Sequence, residues 1–201
     1  MKFILGKKVE MTQIFDEKNR VIPVTIIEAG HCEVLQVKTE KKDGYEAFQI
    51  GFEKIEKKKK IKKPQKTKPY KFIREFRITD DTISNLKQGD RIDVSIFKEG
   101  DLVKISGISK GKGFQGAVKR WGFAGKNKTH GTKHEERTLG SVGAAWPERV
   151  IKGKKMPGRM GQDRTTIKNS KVIKIDAENN LLAVKGAVPG SRGTLLEIKE
   201  I

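Results

Sequence analysis

The chain has 201 residues, of which 35% are hydrophobic and 34% are charged, and it carries a formal net charge of +19 at pH 7. This length suits one good-sized domain or two small ones, and the large positive charge implies a partner such as nucleic acid, an anionic membrane surface or an acidic protein. No apolar run approaches the length of a membrane span, and the N-terminal apolar run is too short for a secretory signal. We therefore expect a soluble cytoplasmic protein without a membrane partner.

The first fifty residues predict β-strands. Residues 21–28 are rich in β-branched side chains, and the polar run at residues 15–20 predicts a hairpin turn after a first, short strand at residues 2–10. Residues 45–52 alternate between apolar and polar side chains, which is the period of a half-buried strand. The start of the chain is therefore expected to lie in a sheet.

The positive charge is concentrated in two segments. Residues 54–77 contain 12 Lys and Arg against 2 Asp and Glu, and residues 104–164 contain 15 against 4, so the rest of the chain is close to neutral. In the first segment, lysines repel one another at i,i+4 spacing and two prolines disfavour a helix. We expect residues 54–68 to form an extended arm, and its lysine run at residues 57–63 is most simply a solvated run of charge.

Regular structure is expected to resume after this arm. The aromatic side chains of residues 70–78 indicate order, and residues 79–88 are compatible with a helical turn. Apolar side chains share one face at residues 92–96, and a turn at residues 98–101 leads to a second apolar run at residues 103–105. Two strands joined this tightly are typical of a small β-barrel or sandwich.

Residues 110–164 differ from the rest of the chain. They are rich in Gly, Lys and Arg, and they have few aliphatic residues at a regular period. Within them, a short helix is predicted at residues 114–121. Such a segment cannot bury enough apolar surface to order itself, and it is too long for an ordinary loop. We interpret it as a segment that a polyanion orders, with the rest of the chain as its scaffold.

Strands return after residue 164. Residues 172–175 and 181–185 flank a polar turn, and residues 194–201 form a last strand. Because strands at both ends of the chain bracket the two basic segments, the pattern predicts one barrel built from both termini, with two insertions.

The residue types of the second basic segment suit binding to folded RNA. Lys and Arg neutralise phosphates and release counterions, and arginine can hold a phosphate with two hydrogen bonds. Glycine lets the backbone approach a ligand closely. Trp121, Phe123 and Trp146 are spaced along the segment, and aromatic side chains in basic loops can stack on unpaired bases. A solvated, disordered loop is the alternative, and these aromatic residues argue against it.

Other chemistries have weaker support in the sequence. His130 and His134 could bind a metal from one helix face together with Glu135, as in a metal-dependent hydrolase, but Gly131 disfavours that helix. Glu135 and Glu136 could form a catalytic pair of carboxylates, but the side chains of residues adjacent in sequence point apart. We find no nucleotide-binding glycine loop, zinc spacing or paired nucleophile and base, so we expect no enzymatic activity, cofactor, metal or small-molecule substrate.

The single cysteine, Cys32, excludes an intramolecular disulfide. This agrees with a reducing compartment. Its neighbourhood favours a small core residue over a catalytic nucleophile.

Several motifs carry a resemblance to a known family. They are GKKVEMTQIFDE near the start, DVSIFKEGDLVKISGISKGKGFQGAVKRWGF, HGTKHEERTLGSVG and KGKKMPGRMG in the middle, and NNLLAVKGAVPGSRG near the end. Their order and spacing spread the match over the whole chain and make it specific. The sequence closely resembles the bacterial form of large-subunit ribosomal protein three, a universal family.

The resemblance implies a mainly β fold. It implies a six-stranded β-barrel of the translation-factor type, an inserted small α+β region and a long irregular basic extension. On this chain the barrel core corresponds to residues 1–45, 90–107 and 165–201. The inserted region with its lysine-rich arm corresponds to residues 46–89, and the extension to residues 108–164.

The resemblance further implies a structural constituent of the large ribosomal subunit that binds large-subunit (23S) rRNA and helps to nucleate subunit assembly. It implies contacts with neighbouring large-subunit proteins and an extension tip, near residues 140–151, that reaches toward the peptidyl transferase centre. An RNA chaperone of assembly that does not stay on the ribosome is the alternative. The predicted rRNA-binding residues are Lys110, Lys112, Lys119, Arg120, Trp121, Lys126, Lys128, His130, Lys133, His134, Arg137, Trp146, Arg149, Lys152, Lys154, Lys155, Arg159 and Arg164.

The chain departs from the family pattern at this tip. Ala144 stands where many members carry a methylated glutamine, so that modification cannot occur here. The family's TPG(R/K)V reads WPERV at residues 146–150, with Glu148 in the place of the usual glycine. The conformation of the tip is therefore the feature that transfers least from the family.

Overall fold

A computed structural model describes residues 2–57, 61–78 and 86–201. Strands make up most of the regular secondary structure of the described residues, which also includes two short helices and two short 3-10 turns. Their bounds are β1 Phe3–Phe15, β2 Val21–Ala29, β3 Cys32–Lys38, α1 Glu40–Asp43, β4 Ala47–Lys54, a 3-10 turn Lys63–Gln65, β5 Tyr70–Arg77, β6 Arg91–Ile92, a 3-10 turn Val94–Ile96, β7 Leu102–Ile108, β8 Phe114–Gln115, α2 Ala117–Trp121, β9 Gly158–Arg159, β10 Arg164–Asp176, β11 Leu181–Lys185 and β12 Leu195–Glu200. This composition confirms the mainly β prediction. None of the helices in these ranges is long and apolar enough to cross a membrane.

Six strands close into a barrel in the order β1-β12-β7-β10-β11-β2. Every neighbouring pair is antiparallel, and β1 pairs with β12, so strands from both ends of the chain meet in the barrel. The predicted hairpin between β1 and β2 is present. Its turn is closed by a hydrogen bond of 3.0 Å from the Asp16 N–H to the Arg20 carbonyl, and Asn19 supplies the positive φ that a tight turn needs. β1 is longer than predicted, because its polar second half continues to pair with β2.

A second sheet has the order β5-β4-β3-β6. The sequence prediction placed residues 32–38 and 91–92 in the barrel, but β3 pairs with β4 on one side and β6 on the other. The correction has a physical reason: an alternating pattern shows that a strand has a buried face, but it does not show which strand will be its hydrogen-bonding neighbour. The predicted translation-factor type of the barrel stays a prediction.

One hydrophobic core extends through both sheets. The ring of Phe3 in β1 stacks on Phe76 in β5 and on Phe48 in β4, with centroid distances of 4.8 and 5.9 Å. Cys32 is fully buried, and its thiol donates to the Leu5 carbonyl at 3.6 Å. Burial raises the pKa of the Cys32 thiol to about 12, so the thiolate is scarce and Cys32 is a core residue, as expected.

The region before β7 differs from its prediction. Residues 92–96 were predicted to form one strand, but β6 ends at Ile92 and a 3-10 turn follows at Val94–Ile96. The turn buries both Val94 and Phe97 in the core, which the alternating pattern of a strand would not do. Of the predicted helical turn at residues 79–88, residues 79–85 lie outside the described ranges.

The described flanks of the lysine-rich run are partly ordered. The Ile55 N–H donates to the Pro69 carbonyl at 2.7 Å, and Lys63–Gln65 forms a 3-10 turn. Residues 58–60, in the middle of the run, lie outside the described residues.

The chain divides into two compact units. One comprises Met1–Ile108 and Arg164–Ile201, and we call it the barrel unit; the other comprises Ser109–Asp163, and we call it the basic unit. The predicted separate region of residues 46–89 does not match the sheet pairing, because the second sheet also draws on β3 and β6.

Candidate nucleic-acid interface

The two ends of the basic unit are joined by a short antiparallel ladder. The Ser109 N–H donates to the Asp163 carbonyl at 2.9 Å, and the Lys112 N–H donates to the Met160 carbonyl at 2.9 Å. The Met160 N–H donates in turn to the Gly113 carbonyl at 3.0 Å, and β8 then pairs with β9. The two arms of the segment therefore run side by side at its base, although neither has an apolar face to bury.

Helix α2 is anchored to the opposite arm by its two last residues. Arg120 Nη1 and Trp121 Nε1 both donate to the Met156 carbonyl at 2.8 Å. The Arg120 guanidinium also lies 4.8 Å from the Trp121 ring centroid, at cation–π distance. A Cβ at Gly158 would lie 2.5 Å from Arg120 Nη1, so the glycine leaves space for this arginine. Gly122 caps the C-terminus of the helix, and its φ of 73° is the left-handed conformation that closes many helices.

A second contact joins residues further along the segment. The Lys126 N–H donates to the Glu136 carbonyl at 2.9 Å, and the Lys126 ammonium pairs with the Glu135 carboxylate. That ion pair lowers the pKa of Glu135 below its usual value. Gly125 has a φ of 75°, and a Cβ there would lie 2.2 Å from the Glu136 carbonyl oxygen. Backbone hydrogen bonds and glycine, rather than apolar packing, hold this part of the chain.

The surface of the basic unit is open and strongly cationic. Within residues 109–163, all of which the structure describes, Ala117 alone is buried. The same residues contain 13 Lys and Arg against 4 Asp and Glu. Phe114 is 77% exposed and Trp146 is 82% exposed. A cationic surface with exposed rings can neutralise phosphates and stack on bases.

Most of the predicted binding residues are free to contact a ligand. Seventeen of the eighteen lie in the basic unit, and Arg164 lies at the start of β10 in the barrel unit. Arg164 pairs with Glu197, and Arg120 and Lys126 have the partners given above, so the structure gives these three cations intramolecular roles. Among the described residues, no carboxylate pairs with the remaining predicted cations Lys110, Lys112, Lys119, Lys128, Lys133, Arg137, Arg149, Lys152, Lys154, Lys155 and Arg159.

The metal alternative finds no support in the geometry. His130 has a φ of 57° and residues 130–134 form turns and bends, so the two histidines do not share a helix face. The carboxylate of Glu135, the third ligand that the sequence offered, is held by Lys126. Across the ranges that the structure describes, no group of three or more His, Cys, Asp and Glu side chains could hold a metal ion.

The structure also brings together a basic cluster that sequence reasoning missed. Lys104, Lys168 and Lys199 line one groove, with the hydroxyls of Ser106 and Thr166 beside them. The lysines come from three strands that are far apart in sequence. Each is an ordinary exposed-face lysine by its local pattern, so only the strand register could have shown that they meet.

Comparison with known proteins gives a consistent result. The family described as Ribosomal protein L3 matches residues 71–181. The chain is 50% identical over 207 residues to the large ribosomal subunit protein uL3 of Petrotoga mobilis, covering 100% of this chain and 95% of that protein. It is 52% identical over 207 residues to the uL3 of Thermosipho africanus, covering 99% and 98%. It is 51% identical over 206 residues to the uL3 of Carboxydothermus hydrogenoformans, covering 99% and 97%.

Proposed function

This chain belongs to the ribosomal protein L3 family, and on that premise we propose that it is a structural constituent of the large ribosomal subunit whose basic unit binds large-subunit (23S) rRNA. The members of this family are structural proteins and not enzymes, and we assign no catalytic residue, cofactor or small-molecule substrate. Its place of action is the ribosome.

One observation carries the proposal for the basic unit. It contains 13 Lys and Arg but only 4 Asp and Glu, and of its residues 109–163 only Ala117 is buried. A free protein gains little from ordering such a segment, because ordering costs conformational entropy and buries almost no apolar surface. Binding to a polyanion supplies the missing free energy by neutralising the like charges and releasing counterions.

The residue types divide the work of binding. The lysines and arginines without a carboxylate partner are proposed to contact phosphates, while Trp146 and Phe114 offer ring faces for stacking on unpaired bases. Arg120 and Lys126 are proposed to act mainly through the fold of the basic unit, because their side chains already bond to Met156 and Glu135. These positioning roles refine the sequence prediction, which treated all the cations alike.

The finer parts of the proposal rest on the family pattern. We propose that the tip near residues 140–151 reaches toward the peptidyl transferase centre, and that the protein helps to nucleate subunit assembly and contacts neighbouring large-subunit proteins. Trp146 and Ile151 (67%) are exposed at the tip, and such apolar side chains are available to pack against a partner. At Ala144 and Glu148 the tip of this chain differs from the usual family residues, which are glutamine and glycine. The translation-factor type of the barrel is also part of the proposal.

Crosslinking of the protein to RNA inside intact large subunits tests the proposal. The expected result is a set of crosslinks from Lys128, Lys152, Lys154 and Lys155 to rRNA around the peptidyl transferase centre, with the protein present at one copy per subunit. Lys185, an exposed lysine on β11, serves as the internal reference for unspecific crosslinking.

Two outcomes would contradict the proposal at different levels. Crosslinks confined to the barrel unit would refute the role of the basic unit while leaving the protein in the subunit. Absence of the protein from purified large subunits would refute its structural role and would favour an RNA chaperone that leaves after assembly.

A further inference from the structure

Three neighbouring barrel strands bring lysines into one row on the outer face of the barrel. Lys104 in β7 and Lys199 in β12 are direct cross-strand partners. β10 lies on the other side of β7, and its register shifts between Ile167 and Ser170, with Asn169 at a φ of 58°. A bulge of this kind re-aims a side chain, and here Lys168 lines the same groove as Lys104 and Lys199.

The floor of the groove is polar and consists of hydroxyl side chains. Ser106 and Thr166 are cross-strand partners, and their hydroxyl oxygens lie 2.8 Å apart in a hydrogen bond. Ser106 is only 4% exposed although it shares the outer face with Lys104, so it forms a hydroxyl floor beneath the row of lysines. The cavity has a volume of about 340 Å³, and none of its lining residues is aromatic.

The charges in the groove are not balanced by the protein. Glu197 is the only carboxylate among its lining residues, and Arg74 (3.2 Å) and Arg164 both pair with it. In the described part of the chain, no carboxylate forms an ion pair with Lys104, Lys168 or Lys199. Like charges directly opposite on a sheet are destabilising, so the pair Lys104 and Lys199 costs stability in the free protein.

Burial and the excess of positive charge in the groove both affect the pKa of Lys199. Burial lowers the pKa of its ammonium, Lys104 and Arg164 lower it further, and Glu197 opposes them. The Lys199 ammonium also lies 4.9 Å from the Phe76 ring centroid, which keeps it close to the protein surface. An anion in the groove would favour the charged form of this lysine and would relieve its repulsion from Lys104.

We propose that this groove binds a phosphate of the large-subunit rRNA backbone, which makes it a second rRNA contact, on the barrel unit. The proposal rests on the proposed function but concerns different residues. The lysines supply charge, and the Ser106–Thr166 hydroxyl pair, in which one hydroxyl donates to the other, has one O–H left to donate to a phosphodiester oxygen. The absence of an aromatic side chain from the lining argues against base stacking, so the contact positions the protein without reading sequence.

The test compares two triple variants of the full-length protein that lose the same charge. The first carries Lys104→Gln, Lys168→Gln and Lys199→Gln. The matched control carries Lys171→Gln, Lys174→Gln and Lys185→Gln, which are exposed lysines of the barrel unit outside the groove. Binding to a 23S rRNA transcript is measured over a range of salt concentrations, and thermal unfolding checks that both variants fold.

The groove variant is expected to bind rRNA about tenfold more weakly than the control variant, and the slope of log K against log salt is expected to become shallower by about 1 to 2. Its thermal stability should equal or exceed that of the unchanged protein, because the like-charge pair is gone. Replacing the same three lysines by arginine should restore binding, since arginine also contacts phosphate.

Equal loss of affinity and slope in the two triple variants would overturn the inference and leave the proposed function intact. Unchanged binding to rRNA, together with poor incorporation of the groove variant into subunits, would also overturn it and would indicate an acidic protein partner instead. Failure of the unchanged protein to bind rRNA at all would be a failure of the proposed function.

Discussion

Ile108 and Arg164 are register partners on β7 and β10, although the whole basic unit lies between them in the sequence. In the basic unit, the Ser109 N–H donates a backbone hydrogen bond of 2.9 Å to the Asp163 carbonyl. Ser109 Oγ also accepts a hydrogen bond of 3.3 Å from the Asp163 N–H. Closing the segment at its base removes much of the conformational entropy that a chain of this length would otherwise keep.

Gly161 is the residue of this ladder that is least able to change. Its φ is 79°, and a Cβ there would lie 2.2 Å from the Lys110 carbonyl oxygen. We expect Gly161→Ala to break the hydrogen bonds that Lys112, Met160 and Gly113 form across the ladder and to weaken rRNA binding. Hydrogen exchange at the Lys112 and Met160 amides and rRNA affinity measure the effect.

Gly153→Ala is the matched control for this substitution. Gly153 has nearly the same φ, 81°, but a Cβ added there would have no atom within 4 Å. Both variants bear the cost of a positive φ, about 1 kcal/mol, and only Gly161→Ala adds the steric clash. Equal amide exchange in the two variants would contradict the importance of the ladder.

Substituting a buried and an exposed phenylalanine distinguishes effects on stability from effects on rRNA binding. Phe48 is 2% exposed and packs against Phe3, whereas Phe114 is 77% exposed. We expect Phe48→Ala to lower the free energy of unfolding by about 3–5 kcal/mol, because it leaves a cavity in the core. Phe114→Ala should change it by less than about 0.5 kcal/mol and should weaken rRNA binding. Chemical denaturation and rRNA affinity are the two measurements, and a large loss of stability in Phe114→Ala would contradict the assignment.

Trp146 is the most exposed aromatic side chain among the large hydrophobic residues of the basic unit. If it stacks on an unpaired base, Trp146→Ala should weaken binding by about 1–3 kcal/mol, since a base–aromatic stack contributes roughly that amount. Trp146→Phe keeps a ring and should recover most of the affinity. Unfolding should be unchanged in both. Equal affinity of the alanine variant and the unchanged protein for rRNA or for assembling subunits would rule out stacking by this residue.

The ionisation of Asp101 makes the stability of the barrel unit depend on pH at low pH. Lys2 Nζ lies 2.7 Å from Asp101 Oδ2 and 2.9 Å from Glu200 Oε1. The hydrogen bond from Lys2 is the main reason that the pKa of Asp101 lies below its usual 3.8. A lowered folded-state pKa means that the carboxylate stabilises the fold above about pH 3.8, and that this stabilisation is lost as the pH falls through the lowered value.

We therefore expect Asp101→Asn to be less stable than the unchanged protein at pH 7, with a difference that shrinks below about pH 3.8. Thermal unfolding at a series of pH values measures it. Glu99→Gln, an exposed neighbour for which the described residues show no ion pair, is the matched control and should give only a small difference in stability at pH 7. A constant deficit of Asp101→Asn down to the lowest pH would refute the ion pair as its cause.

Local sequence was sufficient for several features. The β-branched runs and polar turns predicted strands at both ends of the chain, and the hairpin between β1 and β2 is present. Composition alone located the basic unit, because a segment rich in Gly, Lys and Arg cannot form a packed core. Helix α2 also lies within its predicted range. These features depend on residues that are close in sequence, so local propensity and charge determine them.

Strand pairing over long distances decided the rest. The sequence could not show that β3 joins the second sheet, or that Val94 and Phe97 are buried together by a 3-10 turn. Nor could it show that Arg164 pairs with Glu197, or that Lys104 lies opposite Lys199. Each of these relationships is a matter of register between strands, and register is fixed by packing of the whole core rather than by the residues of any one strand.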